Sequence, residues 1–323
     1  MDPNRRIRVG VIGVGYLGRY HAQKYARMEG VELVAVVDVS EERARSVAKE
    51  VGTHPYTDYR DVVDDLDAVS IVVPTKYHYD IAKFFLEKGV HALVEKPITE
   101  HLNQARELID ISRRKGLVLQ VGHLERFNPA IGFLEKHLQE PLFIEAHRLS
   151  GFKERALDVD VILDLMIHDI DLTLAFVASE VEEIRAVGVP VLSNKVDIAN
   201  ARIMFRNGCN ANLTASRISL QSMRRMRVFQ PGLYLSADCL EQKNLMVTAD
   251  PSRPGFQAIV PTPVSHEKRD ILMEELKCFV ACVKAQRPPK VDGEAAYMAL
   301  KVAQAIKDEI RSRLDKYLGA GAA

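Results

Sequence analysis

From Ile7 to Val121 the chain alternates short aliphatic runs with segments whose apolar residues recur every three or four positions. IRVGVI, VELVAVVD, AVSIVV, HALVE and LVLQV are separated by stretches such as YLGRYHAQKYARM and HLNQARELIDISRRKG. Nearly continuous Val, Ile and Leu is what strands covered on both faces require, so the pattern predicts repeated β–α units in a doubly wound parallel sheet. Beyond about residue 140 the period becomes two. FIEAHRLS, VEEIRAVGV, DIANARIMF, CNANLTASRIS, RRMRVFQ and LYLSAD alternate apolar and polar positions, as strands with one covered face do. Asn207-Gly208, between two of these runs, signals a tight hairpin and hence antiparallel pairing. The expected architecture is α/β, with a parallel domain over 1–123 and an α+β domain with an open, mostly antiparallel sheet over 124–323. A long amphipathic helix over about 293–318 closes it.

A chain of 323 residues is more than one comfortable core, which agrees with two domains. Lys plus Arg and Asp plus Glu each number 44, so no overall field draws the protein to nucleic acid or an anionic membrane. The four cysteines lack the CxxC spacing of a zinc knuckle. MDPNRRIRVGVIG passes straight into a strand pattern with no signal-peptide stretch, and no run approaches the roughly 18 to 20 apolar residues of a membrane span. A cytoplasmic protein without membrane insertion or nucleic-acid partner is expected.

Gly13-Val-Gly15-Tyr16-Leu17-Gly18 is a GxGxxG that follows the first predicted strand and opens a helix. In that context the glycines permit a tight turn and close backbone approach, and the free N–H groups of the helix start face a pyrophosphate. Asp38 ends the second predicted strand, where an acid accepts from the ribose hydroxyls of a dinucleotide and repels an extra phosphate. NAD is the expected cofactor; Arg43 keeps NADP open as the lesser alternative.

HALVEKPIT puts Glu95, Lys96 and Pro97 at the carboxyl end of a predicted parallel strand, where ligands of open α/β sheets bind. A partly desolvated lysine there can act as an acid or base, although a plain surface lysine would read the same. DLMIHDID, from Asp164 to Asp171, raises a similar choice. On a regular helix Asp164, His168 and Asp171 fall on one face beside a stripe of Leu163, Ile167, Ile170 and Leu174, with Asp169 directed elsewhere and solvated. A proton relay is favoured over a structural polar face and over a metal site, whose further ligands are missing, so no metal is expected.

Taken in order, GVGYLG with Asp38, VVPTKYHYDIA with Pro74, Thr75 and His78, VEKP, and the D-x-x-x-H-x-x-D helix resemble the Gfo/Idh/MocA oxidoreductase family across nearly the whole chain. The resemblance implies a Rossmann domain binding NAD(P) and a second domain that carries sugar or polyol substrates and makes a homodimer or homotetramer through its sheet. It implies cofactor contacts from Gly13, Gly15, Tyr16, Leu17, Gly18, Asp38, Pro74, Thr75, His78, Glu95 and Lys96. It assigns His168 as the leading base, Lys96 as its proton-sharing partner and Asp164 as orienter, with Lys96 and His168 able to exchange roles. Met166 stands where many relatives have glycine.

GHLERFNPA resembles the family's hinge, where His123, Arg126 and Asn128 either face the substrate or cap and dock; Arg126 is the substrate-binding candidate. His147, Arg148, Lys153, Arg155, Arg217, Arg224, Arg225 and Arg227 are cationic positions that would suit a diphosphate if they converge. FIEAHR, LDVDVILDLMIHDID, GVPVL, KVDIANARI and ANLTASRIS resemble the branch that oxidises UDP-N-acetylglucosamine at its 3-hydroxyl, which leads to a diamino-sugar lipid A. The alternatives are a myo-inositol or simple sugar dehydrogenase and a non-catalytic dinucleotide-sensing regulator.

Overall fold

The structure, a computed structural model, describes residues 5–152 and 159–320. Its contacts divide the chain into two compact units, Met1–Leu124 with Asp270–Tyr297, and Glu125–Arg269 with Met298–Ala323.

In the first unit β1 (Ile7–Ile12), β2 (Val31–Val37), β3 (His54–Tyr56), β4 (Ala68–Ile71), β5 (His91–Glu95) and β6 (Leu119–Gly122) form one parallel sheet, ordered β3-β2-β1-β4-β5-β6. Helices α1 (Tyr16–Ala26), α2 (Glu41–Val51), α3 (His78–Glu87) and α4 (Leu102–Lys115) alternate with the strands. Every residue of β4 and β5 is buried, which is why those runs show no alternation. Strand order reverses between β1 and β4, and the crevice beyond the carboxyl ends at such a reversal is where open α/β sheets bind ligands. Strand β3, a His-Pro-Tyr segment at the sheet edge, lacks the aliphatic run that marks the others.

The second unit begins with α5 (Pro129–His137) and β7 (Phe143–Leu149), followed by a π-helical stretch, Ile162–Met166, that runs into α6 (Ile167–Val177). Strands β8 (Val181–Val189), β9 (Ile198–Phe205), β10 (Asn210–Ser216), β11 (Met223–Gln230), β12 (Leu233–Asp238), β13 (Lys243–Ala249) and β14 (Ile259–Ser265) complete an eight-stranded sheet. Its order is β14-β13-β12-β11-β7-β10-β9-β8, antiparallel except where β7 meets β10. Gly208, at φ 88°, turns the β9–β10 hairpin, as Asn207-Gly208 predicts. Strands β13 and β14 are absent from the sequence reading. Two prolines in IVPTPVS argue against a central strand, and β14 is accordingly an edge strand.

α7 (Ile271–Ala285) returns to the first unit, where Leu276, Phe279 and Val283 share a core with Ile7, Val9 and Val11 of β1 and Tyr25 of α1. The expected single cut at residue 123 is therefore corrected: Asp270–Tyr297 packs with the parallel sheet. Periodicity shows that α7 has an apolar face but not which sheet it covers. α8 (Gly293–Ala320) matches the predicted closing helix, and from Met298 onward its Ala299, Val302, Ala303, Ile306 and Ile310 bury in the core of the second unit.

Candidate active site

In the first unit the glycines of the β1–α1 turn divide by what requires them. A Cβ on Gly13, whose φ is +83°, would lie 2.5 Å from the Val72 carbonyl oxygen, and one on Gly18 would lie 1.8 Å from that of Gly13. Both are demanded by the protein's own packing. A Cβ on Gly15 would meet nothing within 4 Å, so the fold leaves open the space at the start of α1 that an approaching diphosphate uses. Leu17 packs on the core, whereas Tyr16 is 69% exposed and meets Tyr20 edge-on at 5.4 Å. With Gly15, Arg19, Arg43 and Ser46 these tyrosines line a groove of about 620 Å³.

The Asp38 carboxylate, buried beyond the end of β2, accepts from Val14 N and Ser40 N, each at 3.0 Å, and from the Arg43 guanidinium at 3.1 Å. These contacts fix the acid beside the glycine turn. The residues present therefore fit a dinucleotide: an open helix start for its diphosphate and a positioned carboxylate for a ribose.

Beyond β4, Pro74 is exposed and Thr75 half-buried, but His78 is fully buried, with Nδ1 2.9 Å from Pro97 O and Nε2 2.8 Å from Val73 O. It ties the loop after β4 to the loop after β5. Burial lowers the His78 pKa, against the pull of those two carbonyls. At the end of β5, Glu95 is buried and Lys96 half-buried, and the Lys96–Pro97 peptide is cis.

In the second unit His168 lies in the first turn of α6, 8% exposed, and Asp164 lies half-buried in the π-helical stretch. The widened turn alters the helical phase between them, a departure from the regular helix expected; π-bulges are frequent at functional sites. Asp169, expected to be solvated, is instead 5% exposed and takes a two-pronged bond from Arg148 at 3.0 and 2.7 Å. Arg148 also reaches Glu125 at 3.0 Å, where Arg224 adds a second cation at 3.2 Å. Asp171 is fully buried under a fork from Arg126, at 2.6 and 3.0 Å. Two buried ion pairs, at Asp169 and Asp171, thus anchor α6 just after His168 in sequence.

Among the described residues the cationic positions pair with several different acids. Arg217 is buried against Asp197 at 2.8 Å and Val159 O, Arg225 pairs with Asp238 and Arg227 with Glu145. His147 is half-buried; Lys153 and Arg155, with Leu157 and Asp158 of the LDVDV segment, lie outside the described residues. His123 is buried, and Asn128 caps α5 by accepting from Ala130 N at 3.0 Å while donating to Glu125 and to Cys239 O. Among the described residues no group of three or more His, Cys, Asp or Glu is placed to hold a metal, and no helix is long and apolar enough to cross a membrane.

The Glu125–Arg148–Asp169 set is missing from the sequence reading, yet it left a signal. Ile144, Ala146 and Arg148 occupy the inward positions of β7, and an arginine in phase with core residues requires a buried acid.

Comparison with known proteins agrees with this geometry. Residues 7–123 match the model of the oxidoreductase family with an NAD-binding Rossmann fold, and residues 137–230 match the GFO/IDH/MocA C-terminal domain. The UDP-N-acetylglucosamine 3-dehydrogenase of Acidithiobacillus ferrooxidans is 40% identical over 96% of this chain and 99% of its own. Its solved structure superposes with a TM-score of 0.89 over 95% of this chain and 98% of that one. The myo-inositol 2-dehydrogenase of Thermotoga maritima is 26% identical over 95% of this chain and 97% of its own. A scyllo-inositol dehydrogenase of Lactobacillus casei, solved with NAD(H) and scyllo-inositol, shares the fold at a TM-score of 0.81 and 20% identity, over 96% of this chain and 98% of its own. The chain belongs to the Gfo/Idh/MocA oxidoreductase family and is a dehydrogenase of it.

Proposed function

We propose that this dehydrogenase uses NAD to oxidise the 3-hydroxyl of UDP-N-acetylglucosamine, giving the 3-keto nucleotide sugar. What carries the reading is the 40% identity, over nearly the full length of both chains, to an enzyme named for that reaction. The named inositol dehydrogenase stands at 26%, which makes a free polyol the second candidate. The reading extends to a cytoplasmic enzyme of the diamino-sugar lipid A route, assembled as a homodimer or homotetramer through the sheet of the second unit. Val187 and Val189, about half exposed on edge strand β8, support such an assembly.

Alcohol oxidation sets the chemical demand. The dinucleotide, when bound, supplies the hydride acceptor; the protein must take the hydroxyl proton, or the alkoxide is too costly. His168 takes that proton, the Lys96 ammonium steadies the developing negative charge and shares the proton, and Asp164 orients the imidazole. Lys96 and His168 are interchangeable as acceptor in this scheme. Arg126, held by Asp171, is proposed to border the substrate rather than to carry a step. Gly15, Tyr16, Pro74, Thr75 and Glu95 are assigned to the cofactor side, with His78 acting through the two loops it ties together.

NAD is proposed over NADP because the buried Asp38 carboxylate would repel a 2′-phosphate bound beside it; Arg43, paired to it and about half exposed, favours NADP. Asp38→Ala is expected to weaken NAD binding about tenfold, roughly 1.4 kcal/mol, and to narrow the preference over NADP. Titration with both dinucleotides checks this, and an unchanged preference would mean that another residue reads the ribose. Substrate choice is tested by NAD reduction with UDP-N-acetylglucosamine beside myo-inositol and free sugars. Turnover confined to the free polyols would remove the nucleotide-sugar reading.

A further inference from the structure

Between β8 and β9 the chain makes a short connection, residues 190–197, and closes it on one buried carboxylate. Asp197, fully buried, accepts from the N–H groups of Val191, Leu192 and Ser193 at 2.7, 2.7 and 2.9 Å and from the Ser193 hydroxyl at 2.7 Å. Burial alone would raise its pKa, but Ser193, the Val191 N–H and Arg217 outweigh it and hold the carboxyl far below the ordinary range. The group is therefore charged at neutral pH, and the loop is knit to it.

Arg217, just past the end of β10, is the cation that meets this carboxylate. It is 4% exposed, and its three side-chain nitrogens have different acceptors. Nε donates to Asp197 at 2.8 Å, Nη2 to the Ser193 hydroxyl at 3.0 Å and Nη1 to the Val159 carbonyl at 2.8 Å. The last bond leaves the loop. A lysine, with one nitrogen at its tip, matches the charge but not this three-way geometry.

Val159 stands just before the π-helical stretch. Two residues on, Val161 N donates to Val196 O of the same loop at 3.0 Å, so Asp160 is bracketed by bonds to the loop and its arginine. Asp160 in turn starts the stretch: its carboxylate accepts from Leu163 N and its carbonyl from Asp164 N, each at 3.0 Å. Lys307 of α8 meets the other carboxylate oxygen at 2.9 Å. A series of contacts thus runs from Asp197 through Arg217, Val159 and Asp160 to the backbone of Asp164. Turns of the π type are rare and cluster at functional sites, so what fixes this one bears on the site.

We propose that Arg217 and Asp197 are positioning residues for the oxidation: they fix Val159–Val161 and, through Asp160, the turn that sets Asp164 and His168 relative to each other. This role rests on Asp164 and His168 acting as proposed above.

Arg217→Lys in the full-length protein provides the test. Hydrogen exchange read by mass spectrometry is expected to quicken about tenfold in the peptide covering residues 160–168, while α5, in the same unit, stays within about twofold of wild type. With the accepted sugar, kcat is expected to fall about tenfold to a hundredfold, as misplaced catalytic groups cause, while the Kd for NADH holds within about twofold. A double variant separates positioning from folding alone: added to His168→Ala, Arg217→Lys is expected to lower kcat by less than about twofold, because the group it places is gone. Unchanged exchange at 160–168, an equal loosening of α5, an undiminished kcat, or a kcat loss of the same size in both backgrounds overturns the proposal. Should Arg217→Lys not fold, Ser193→Ala removes one link of the clamp and no charge, with changes of about threefold expected in exchange and kcat. If no sugar is oxidised the functional reading fails, and exchange alone then decides whether the pair holds the turn.

Discussion

Lys96→Ala and His168→Ala are each expected to lower kcat by about 10² to 10⁴, the usual worth of a positioned proton-transfer group, while the Kd for NADH stays within about twofold of wild type. The separation follows from where the two residues lie. The glycine turn and Asp38, which fit the dinucleotide, have their own hydrogen bonds to Val14 N, Ser40 N and Arg43, none of which involves Lys96 or His168. Each variant should therefore bind cofactor and fail at the hydroxyl. Steady-state kinetics with the accepted sugar, beside an NADH fluorescence titration, decides it. Normal turnover at saturation with weakened NADH binding would move both residues out of the reaction.

Arg148→Ala carries the largest expected cost in stability, about 3 to 5 kcal/mol by urea unfolding, because it leaves Asp169 and Glu125 buried beside a missing cation. It also has a pH signature. Burial alone would raise the Glu125 carboxyl, but Arg148 and Arg224 outweigh it and hold its pKa below the ordinary carboxylate value. A folded-state pKa below the unfolded one contributes stability that is present above the unfolded value and is lost as pH falls through the folded one. With Arg148 gone that depression shrinks, so less stability is lost as pH falls, and the cost of the substitution should be smaller at acid pH than at neutral pH. Urea unfolding followed by circular dichroism at neutral and acid pH checks this. An Arg148→Ala variant as stable as wild type at neutral and acid pH would mean that the buried fork contributes nothing to holding α6.

Much of the fold could be read along the sequence because its physics is local. The runs at β1, β2, β4, β5 and β6 need both faces covered, and that alone marks a parallel sheet. The glycine turn and Asp38 were legible for the same reason, since strand, turn and helix start are consecutive. Elements whose identity depends on a distant partner were not. The apolar stripe of α7 announces a helix but not the sheet it joins, and β14 hides two prolines behind its edge position. The surroundings of His168 failed differently. A face count at 100° per residue predicted a solvated Asp169, yet the helix enters through a π-helical stretch and Asp169 faces a buried arginine from β7. Charge pairing across the fold decides the fate of such residues, and spacing along one helix does not encode it.

Mixing the protein with NAD and UDP-N-acetylglucosamine deuterated at C3 puts the central claim to its most direct test. The claim predicts that deuterium appears on the nicotinamide ring of the reduced cofactor and that the sugar becomes the 3-keto nucleotide. Unreduced NAD, or reduction with the deuterium still on the sugar, would contradict it.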